Sequence, residues 1–151
     1  MSDGLLRATD LNLRYLQSPV DDLFSLYYTM QWAAVFHNRE FATGKDIPIL
    51  LCAVRQDISG DQRARSTNSI VNSRVLRERD YGHFLAKCHP FLQHWYLSLC
   101  ALLDEWKECE YGLETLEVKN SGSFYTSLFS TFAVQGVAQL AVLVFKHTPS
   151  M

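Results

Sequence analysis

Three histidines, His83, His89 and His94, surround Cys88 and are the residues best placed for catalysis or metal binding. A zinc site needs three or four converging ligands, and on one helix His83 and Cys88 do not share a face. Cys88 and His89 are adjacent, so in a helix they point about 100° apart and do not form a thiol–imidazole pair. We therefore expect structural histidines at helix ends. A small helical enzyme that uses Cys88 and the nearby histidines is the alternative.

Other chemical signatures are weak. No phosphate-binding loop, nucleophile elbow or metalloprotease pattern occurs in the sequence. The acidic pairs Asp21-Asp22 and Asp104-Glu105 are better explained by helix capping or solvation than by metal binding. The arginines of the middle segment, Arg74 to Arg79, lack the interleaved aromatic residues of a nucleic-acid surface. We predict a protein that is not an enzyme, with no cofactor, no metal and no nucleic-acid partner.

The composition is that of one globular domain. The chain has 151 residues, of which 48% are hydrophobic and 20% charged, with a formal charge of −2. The four cysteines show no CxxC spacing, and the polar start Met1–Gly4 has no signal-peptide core. We predict a single helical domain over residues 1–151, in the cytosol or at a cytosolic membrane face.

Helical signals dominate the first half. Ser18 can cap a helix that has Pro19 at its first position, with Asp21 placed as a capping-box acid. This helix should continue to about His37, after a shorter one over Asp10–Gln17. The segment Asn38–Asp46 reads as a loop, and Pro48 can open the next helix. Apolar residues then recur at helical spacing: Leu50, Leu51, Val54 and Ile58. Over Gln62–Ser73, with only Ile70 and Val71 to bury, we expect a short or irregular helix.

The second half holds the strongest pattern, a helical stripe over Tyr81–Cys109. Pro90 interrupts it, so either one helix kinks there or a second helix starts with His89 as its cap. The last apolar segment, Phe124–Phe145, is open to three interpretations. It can be a fully buried helix, which we prefer, a β-hairpin with a turn near Gln135-Gly136, or a membrane anchor.

One stretch resembles a known motif. In Ile47–Asp61, Val54-Arg55-Gln56 resembles the start, and Gly60-Asp61 the end, of the Bcl homology 3 helix of Bcl-2-like apoptosis regulators, although the spacing is two residues longer. The runs Tyr28–Phe36 and Lys45–Cys52 are similar to divergent viral members. His83–Trp106 would then supply the fourth and the central fifth helices. At the start of the central helix the family has Asn-Trp-Gly-Arg, whose Arg pairs with an Asp of the bound helix. This chain has His94-Trp95-Tyr96-Leu97 there.

The resemblance implies an all-α, single-domain helical bundle with a buried central helix. It implies an inhibitor of apoptosis that sequesters pro-apoptotic (Bim-type) helices in an apolar groove. An adaptor of the same fold that interferes with innate immune signalling is the alternative. A homodimer that covers the groove is plausible, and membrane association is possible but not indicated. The candidate groove residues are Val54, Ile58, Phe84, Leu85, Cys88, Phe91, Leu92 and Trp95. Among them we expect Ile58 and Phe84 to be partly exposed.

Overall fold

Every regular element in the described part of the chain is an α-helix, which confirms the predicted all-α class. The computed structural model describes residues 18–37, 41, 47–60, 62–114 and 122–147, with side chains for 18–37, 41, 47–60, 62–109, 130–144 and 146. The helices are α1 (Pro19–Val35), α2 (Ile49–Ser59), α3 (Arg63–Asn72), α4 (Glu78–Tyr81), α5 (His83–Glu114) and α6 (Gly122–His147). They are compatible with a helical bundle. The predicted Asp10–Gln17 helix, and the Asn38–Asp46 loop apart from Phe41, lie outside the described residues.

The start of α1 confirms the capping prediction. Asp21 Oδ2 accepts hydrogen bonds from the backbone N–H of Ser18 at 2.8 Å and from its hydroxyl at 2.9 Å, and all of these groups are buried. Ser18 Oγ in turn accepts from the Asp21 N–H at 3.3 Å. With Pro19 as first helical residue, this reciprocal pair satisfies donors that a helix start otherwise leaves unpaired. The helix ends at Val35, two residues before the predicted His37.

Helices α2 and α3 pack against each other. Pro48 precedes the first turn of α2, and its carbonyl accepts from the Cys52 N–H at 3.0 Å. Gly60 follows the last helical residue, Ser59, and its N–H donates to the Gln56 carbonyl at 2.9 Å. Helix α3 is a regular ten-residue helix rather than an irregular one, and it buries the predicted Ile70 and Val71. It also buries two hydroxyl side chains, Ser66 and Thr67, which sequence reasoning did not expect inside.

A glycine separates α4 from α5, and a proline lies inside α5. Gly82 has a φ of 80°, a left-handed conformation that side chains with a Cβ rarely adopt. Helix α5 runs through Pro90 without ending, so the alternative of a second helix capped by His89 is wrong. A proline inside a helix costs about 3 kcal/mol. Burial of Leu85 and Leu92, on the turns either side of it, offsets that cost.

The segment that the sequence left open forms a single helix, α6, so the β-hairpin is wrong. The preferred interpretation, a helix buried on all sides, is only half right. Phe132, Gly136 and Leu143 are buried, whereas the opposite face carries exposed valines. Among the described residues, none of the helices is long and apolar enough to cross a membrane.

The chain divides into two compact units, which are described separately. The terminal unit comprises residues 1–26 and 95–151, and the middle unit comprises residues 27–94. In the terminal unit, Trp106 packs edge-on against Phe132 with ring centroids 5.2 Å apart. In the middle unit, the buried Gln31 of α1 accepts a 3.1 Å hydrogen bond from Thr67 of α3. A single domain over residues 1–151 stays a prediction.

Candidate protein-binding surface

The eight predicted groove residues differ in their exposure. Seven lie in the middle unit, and Trp95 lies in the terminal unit, where it is buried. Phe84 is 37% exposed, as expected, but the expected exposure of Ile58 is wrong. A groove lined by the whole set stays a prediction. Those buried are Val54, Ile58, Leu85, Leu92 and Trp95, and those half-buried are Cys88 and Phe91.

Helical geometry explains this division along α5. Phe84, Cys88 and Phe91 follow one another at i, i+4 and i+7, so they form one stripe of the helix. Leu85 and Leu92 lie about 100° further round, on a stripe that faces the interior. Both stripes are apolar in the sequence, but only the Phe84–Cys88–Phe91 stripe lies at the surface in the structure.

The ring of Phe84 is stacked against that of His37. Their centroids are 4.0 Å apart with an interplanar angle of 18°. His37 lies two residues beyond α1, and its carbonyl accepts from Arg55 Nη2 at 3.5 Å. Arg55 Nε also donates to the Val35 carbonyl at 2.9 Å. A cation at a helix C-terminus satisfies carbonyls that have no partner within the helix. Arg55 of α2 therefore holds the end of α1 and the position of His37.

Further aromatic rings surround the Arg55 guanidinium. It lies 5.5 Å from the centroid of Phe36 and 5.9 Å from that of Phe41, both within cation–π range. Phe36 stacks on Trp32 at 5.0 Å, and Trp32 is 55% exposed. These contacts join a set of rings that we call the aromatic cluster: Trp32, Phe36, His37, Phe41 and Phe84.

Sequence reasoning missed most of this cluster. The helix prediction for α1 did not separate its exposed aromatic residues from its buried ones. Trp32 lies about 100° round α1 from the buried Gln31, a position that the helical period could have indicated. The pairing of His37 with Phe84 had no such signal, because 46 residues separate them in the sequence.

Along the Phe84–Cys88–Phe91 stripe, helix α5 itself carries one lysine and no acid. Lys87 is exposed on the adjoining turn, and the sequence contains no Asp or Glu from His83 to Leu103. Glu78 of α4 contacts the start of α5. Its Oε2 lies 3.0 Å from His83 Nδ1. That hydrogen bond lowers the pKa of Glu78 below its ordinary value. An acidic ligand would therefore meet no repulsion from α5 on this stripe.

The three histidines near Cys88 differ in their burial and in their partners. His89 is buried, and its Nε2 lies 3.0 Å from the Ile70 carbonyl, so its ring links α5 to α3. His83 pairs with Glu78, and His94 is exposed. Over the residues whose positions are described, no group of three or more His, Cys, Asp or Glu could hold a metal ion.

Comparison of the chain with protein-family models, with curated proteins and with solved structures finds no match.

Proposed function

We propose that this chain is a protein-binding domain that holds an amphipathic helix of a partner against the Phe84–Cys88–Phe91 stripe and the neighbouring aromatic cluster. The observation that carries the proposal is Phe84, a large aromatic residue that is 37% exposed on the middle unit. Its ring is held by stacking on His37, whose backbone is bound by Arg55. A rigid, partly exposed aromatic side chain is typical of the anchors that dominate binding energy at interfaces.

The spacing of the stripe suits a helical ligand. Phe84, Cys88 and Phe91 extend along about 10 Å of α5, which is two helical turns. A partner helix presents apolar anchors at i, i+3, i+4 and i+7 over the same distance. Trp32 of the aromatic cluster, and Arg55, whose guanidinium contacts the cluster, belong to residue types that are enriched at binding hot spots. A ligand helix on the stripe would have these groups available at its edge.

The charge of the surface indicates an acidic ligand. Lys87 lies between Phe84 and Phe91 in the sequence and is exposed. Its charge also helps to lower the pKa of Glu78 in α4, so an acidic ligand would compete with that carboxylate for Lys87. Complementary charge raises association rates and selects among partners of similar hydrophobicity. We therefore propose an amphipathic helix that carries at least one Asp or Glu beside its apolar anchors.

A pro-apoptotic helix of the Bcl homology 3 type meets this description, and it is the partner that the resemblance of Ile47–Asp61 implies. In the family, an Arg that follows the shared Trp pairs with the Asp of that helix. Leu97 occupies the position in this chain, so the ion pair would have to come from elsewhere. We propose that Lys87 supplies the cation. The chain would then act as a Bcl-2-like inhibitor of apoptosis of viral type, which sequesters such helices in the host cytosol or at the mitochondrial surface.

The test is a fluorescence-polarisation titration of the full chain with a panel of labelled pro-apoptotic helix peptides, including a Bim-type peptide. We expect Phe84→Ala to weaken binding at least about 30-fold, which corresponds to the ~2 kcal/mol that defines a hot spot. Lys87→Glu should weaken it about tenfold and reduce its dependence on salt. Val75→Glu is the matched control, because Val75 is 70% exposed in the same unit and lies outside the stripe. The Val75→Glu protein should bind the peptides with the same affinity as the wild type.

Two results would refute the proposal. The first is no binding of any panel peptide at tens of micromolar by a chain that is folded by circular dichroism. The second is binding that neither Phe84→Ala nor Lys87→Glu alters, because the ligand would then use another surface. Binding of innate signalling proteins without binding of the peptides would favour the adaptor alternative.

A further inference from the structure

Helix α6 exposes an apolar face that is remote in sequence from the Phe84 stripe. Four of its valines are largely accessible: Val134 at 69%, Val137 at 59%, Val142 at 53% and Val144 at 46%. Ala138 and Ala141 are exposed between them. On a helical wheel these six residues fall within one half of the circumference, opposite the buried Phe132, Gly136 and Leu143. We call these six residues the valine face.

The valine face is unusual for a solvated helix surface. Solvent-facing helix positions ordinarily carry Lys, Glu or Gln, which are also better helix formers than valine. Yet the sequence from Thr131 to Phe145 contains no charged residue. Scattered single apolar residues on a surface need no explanation, whereas a contiguous apolar patch of a few hundred Å² is a candidate interaction surface.

We infer that the valine face is the contact between two copies of this chain. In a two-fold contact each copy contributes the same patch. Because the valine face carries no charge, such a contact buries no charged group that lacks an opposite charge. A charged ligand would gain nothing from this face and would lose solvation on it. The small net charge of −2 causes little repulsion between copies.

The area of the face sets the strength expected of the contact. With about 160 Å² for a fully exposed valine, the four valines offer roughly 350 Å² of apolar surface on each copy. A symmetric pair would bury roughly 700 Å² from the valines, which is below the ~1,200 Å² of small stable interfaces and typical of weak contacts. The inferred dimer is therefore weak, with a dissociation constant in the micromolar range. A lipid surface is a poorer occupant, because the face lacks the cations that draw helices to acidic membranes.

Sedimentation equilibrium of the full chain at about 5 to 200 µM tests the dimer. We expect a monomer–dimer equilibrium that Val137→Glu weakens at least tenfold, since it would place two carboxylates in an apolar contact. Val75→Glu, at an exposed valine of the middle unit, should leave the equilibrium unchanged. Because Val137 is exposed, its replacement should leave the helical circular-dichroism spectrum intact.

A cross-link locates the contact independently. Ala138→Cys in a Cys109→Ser background places a thiol at the centre of the valine face and removes the exposed native cysteine. Mild oxidation should produce a disulfide-linked dimer within minutes, and Val75→Cys in the same background should not. A wild-type chain that stays monomeric at 200 µM would overturn the inference. So would a dimer that survives Val137→Glu and forms no cross-link through Ala138→Cys.

Discussion

Gly136 of α6 lies where this helix approaches α1 within the terminal unit, and its replacement by alanine tests that approach. A Cβ built on Gly136 would overlap the Cδ1 of Leu23 and lie 3.2 Å from its Cγ and 3.3 Å from its Cδ2. Leu23 is only 7% exposed, so its side chain cannot swing into solvent to make room. The new methyl group therefore has to displace a packed leucine.

Two opposing effects determine how Gly136→Ala changes the free energy of unfolding. Replacing glycine by alanine inside a helix stabilises it by about 0.8–1.0 kcal/mol, whereas overpacking a core by one methyl group costs about 1–3 kcal/mol. The overlap involves three atoms of one buried side chain, so we expect the second term to exceed the first. Gly136→Ala should lower the free energy of unfolding by about 1 kcal/mol.

Truncation of Leu23 should turn the destabilising effect of Gly136→Ala into a stabilising one. Leu23→Ala alone should cost about 2–5 kcal/mol, because it leaves a cavity in the core. In that background the Cβ at position 136 meets no leucine, so Gly136→Ala should stabilise by about 1 kcal/mol. The difference between the two backgrounds is a coupling energy of about 2 kcal/mol. Urea denaturation followed by circular dichroism measures all four proteins.

Ala138→Gly is the matched control for this cycle, because Ala138 is exposed on the same helix and reports the propensity term alone. It should cost about 1 kcal/mol. All proteins are compared at low micromolar concentration, where self-association contributes little. The close approach of α1 and α6 would be refuted if Gly136→Ala stabilised the wild type by the amount that Ala138→Gly destabilises it. A stabilisation that is the same with and without Leu23 would refute it as well.

Two further predictions concern the start of α1 and the cysteines. Asp21→Ala should lower the free energy of unfolding by about 1–2 kcal/mol, because two buried donors of Ser18 lose their acceptor; urea denaturation measures this, and an unchanged midpoint would contradict the cap. Under native conditions at mildly alkaline pH, a maleimide should label Cys109 before Cys100, since Cys109 is exposed and burial raises the pKa of Cys100, which lowers its thiolate fraction. Peptide mapping by mass spectrometry gives the order, and faster labelling of Cys100 would contradict it.

Local signals in the sequence predicted the helices well where a cap or a strong period was present. The start of α1 at Ser18-Pro19 was predicted correctly, because the cap acts through bonds between near neighbours. Whether the helix ends at Pro90 could not be decided from the sequence, because the cost of a proline inside a helix is opposed by the burial of residues on both sides of it. Helix α6 was ambiguous for another reason: a segment that is apolar all round has no polar face, so its sequence does not indicate which side lies inward.

The candidate site was predicted less completely. Phe84 was expected at the surface because it borders a polar region, and it lies there. The burial of Ile58 was missed, since the polar sequence that follows it folds into α3, which buries Ile70 and Val71 and packs on α2. The aromatic cluster depends on Arg55 reaching the end of another helix. Contacts of this kind join residues far apart in the chain, and no local pattern encodes them.

The stacking of His37 on Phe84 has a consequence for ligand recognition. With a centroid separation of 4.0 Å, the imidazole occupies one face of the aromatic ring and acts as an internal competitor for it. A ligand must either use the remaining face and edge, or displace His37 and lose part of its binding free energy in doing so. Because the Arg55 guanidinium restrains only the backbone of His37, the side chain can rotate away while the helix end stays in place. In the free protein, His37 therefore covers one face of the Phe84 ring. A ligand that uses this face must make contacts worth more than the His37–Phe84 stack.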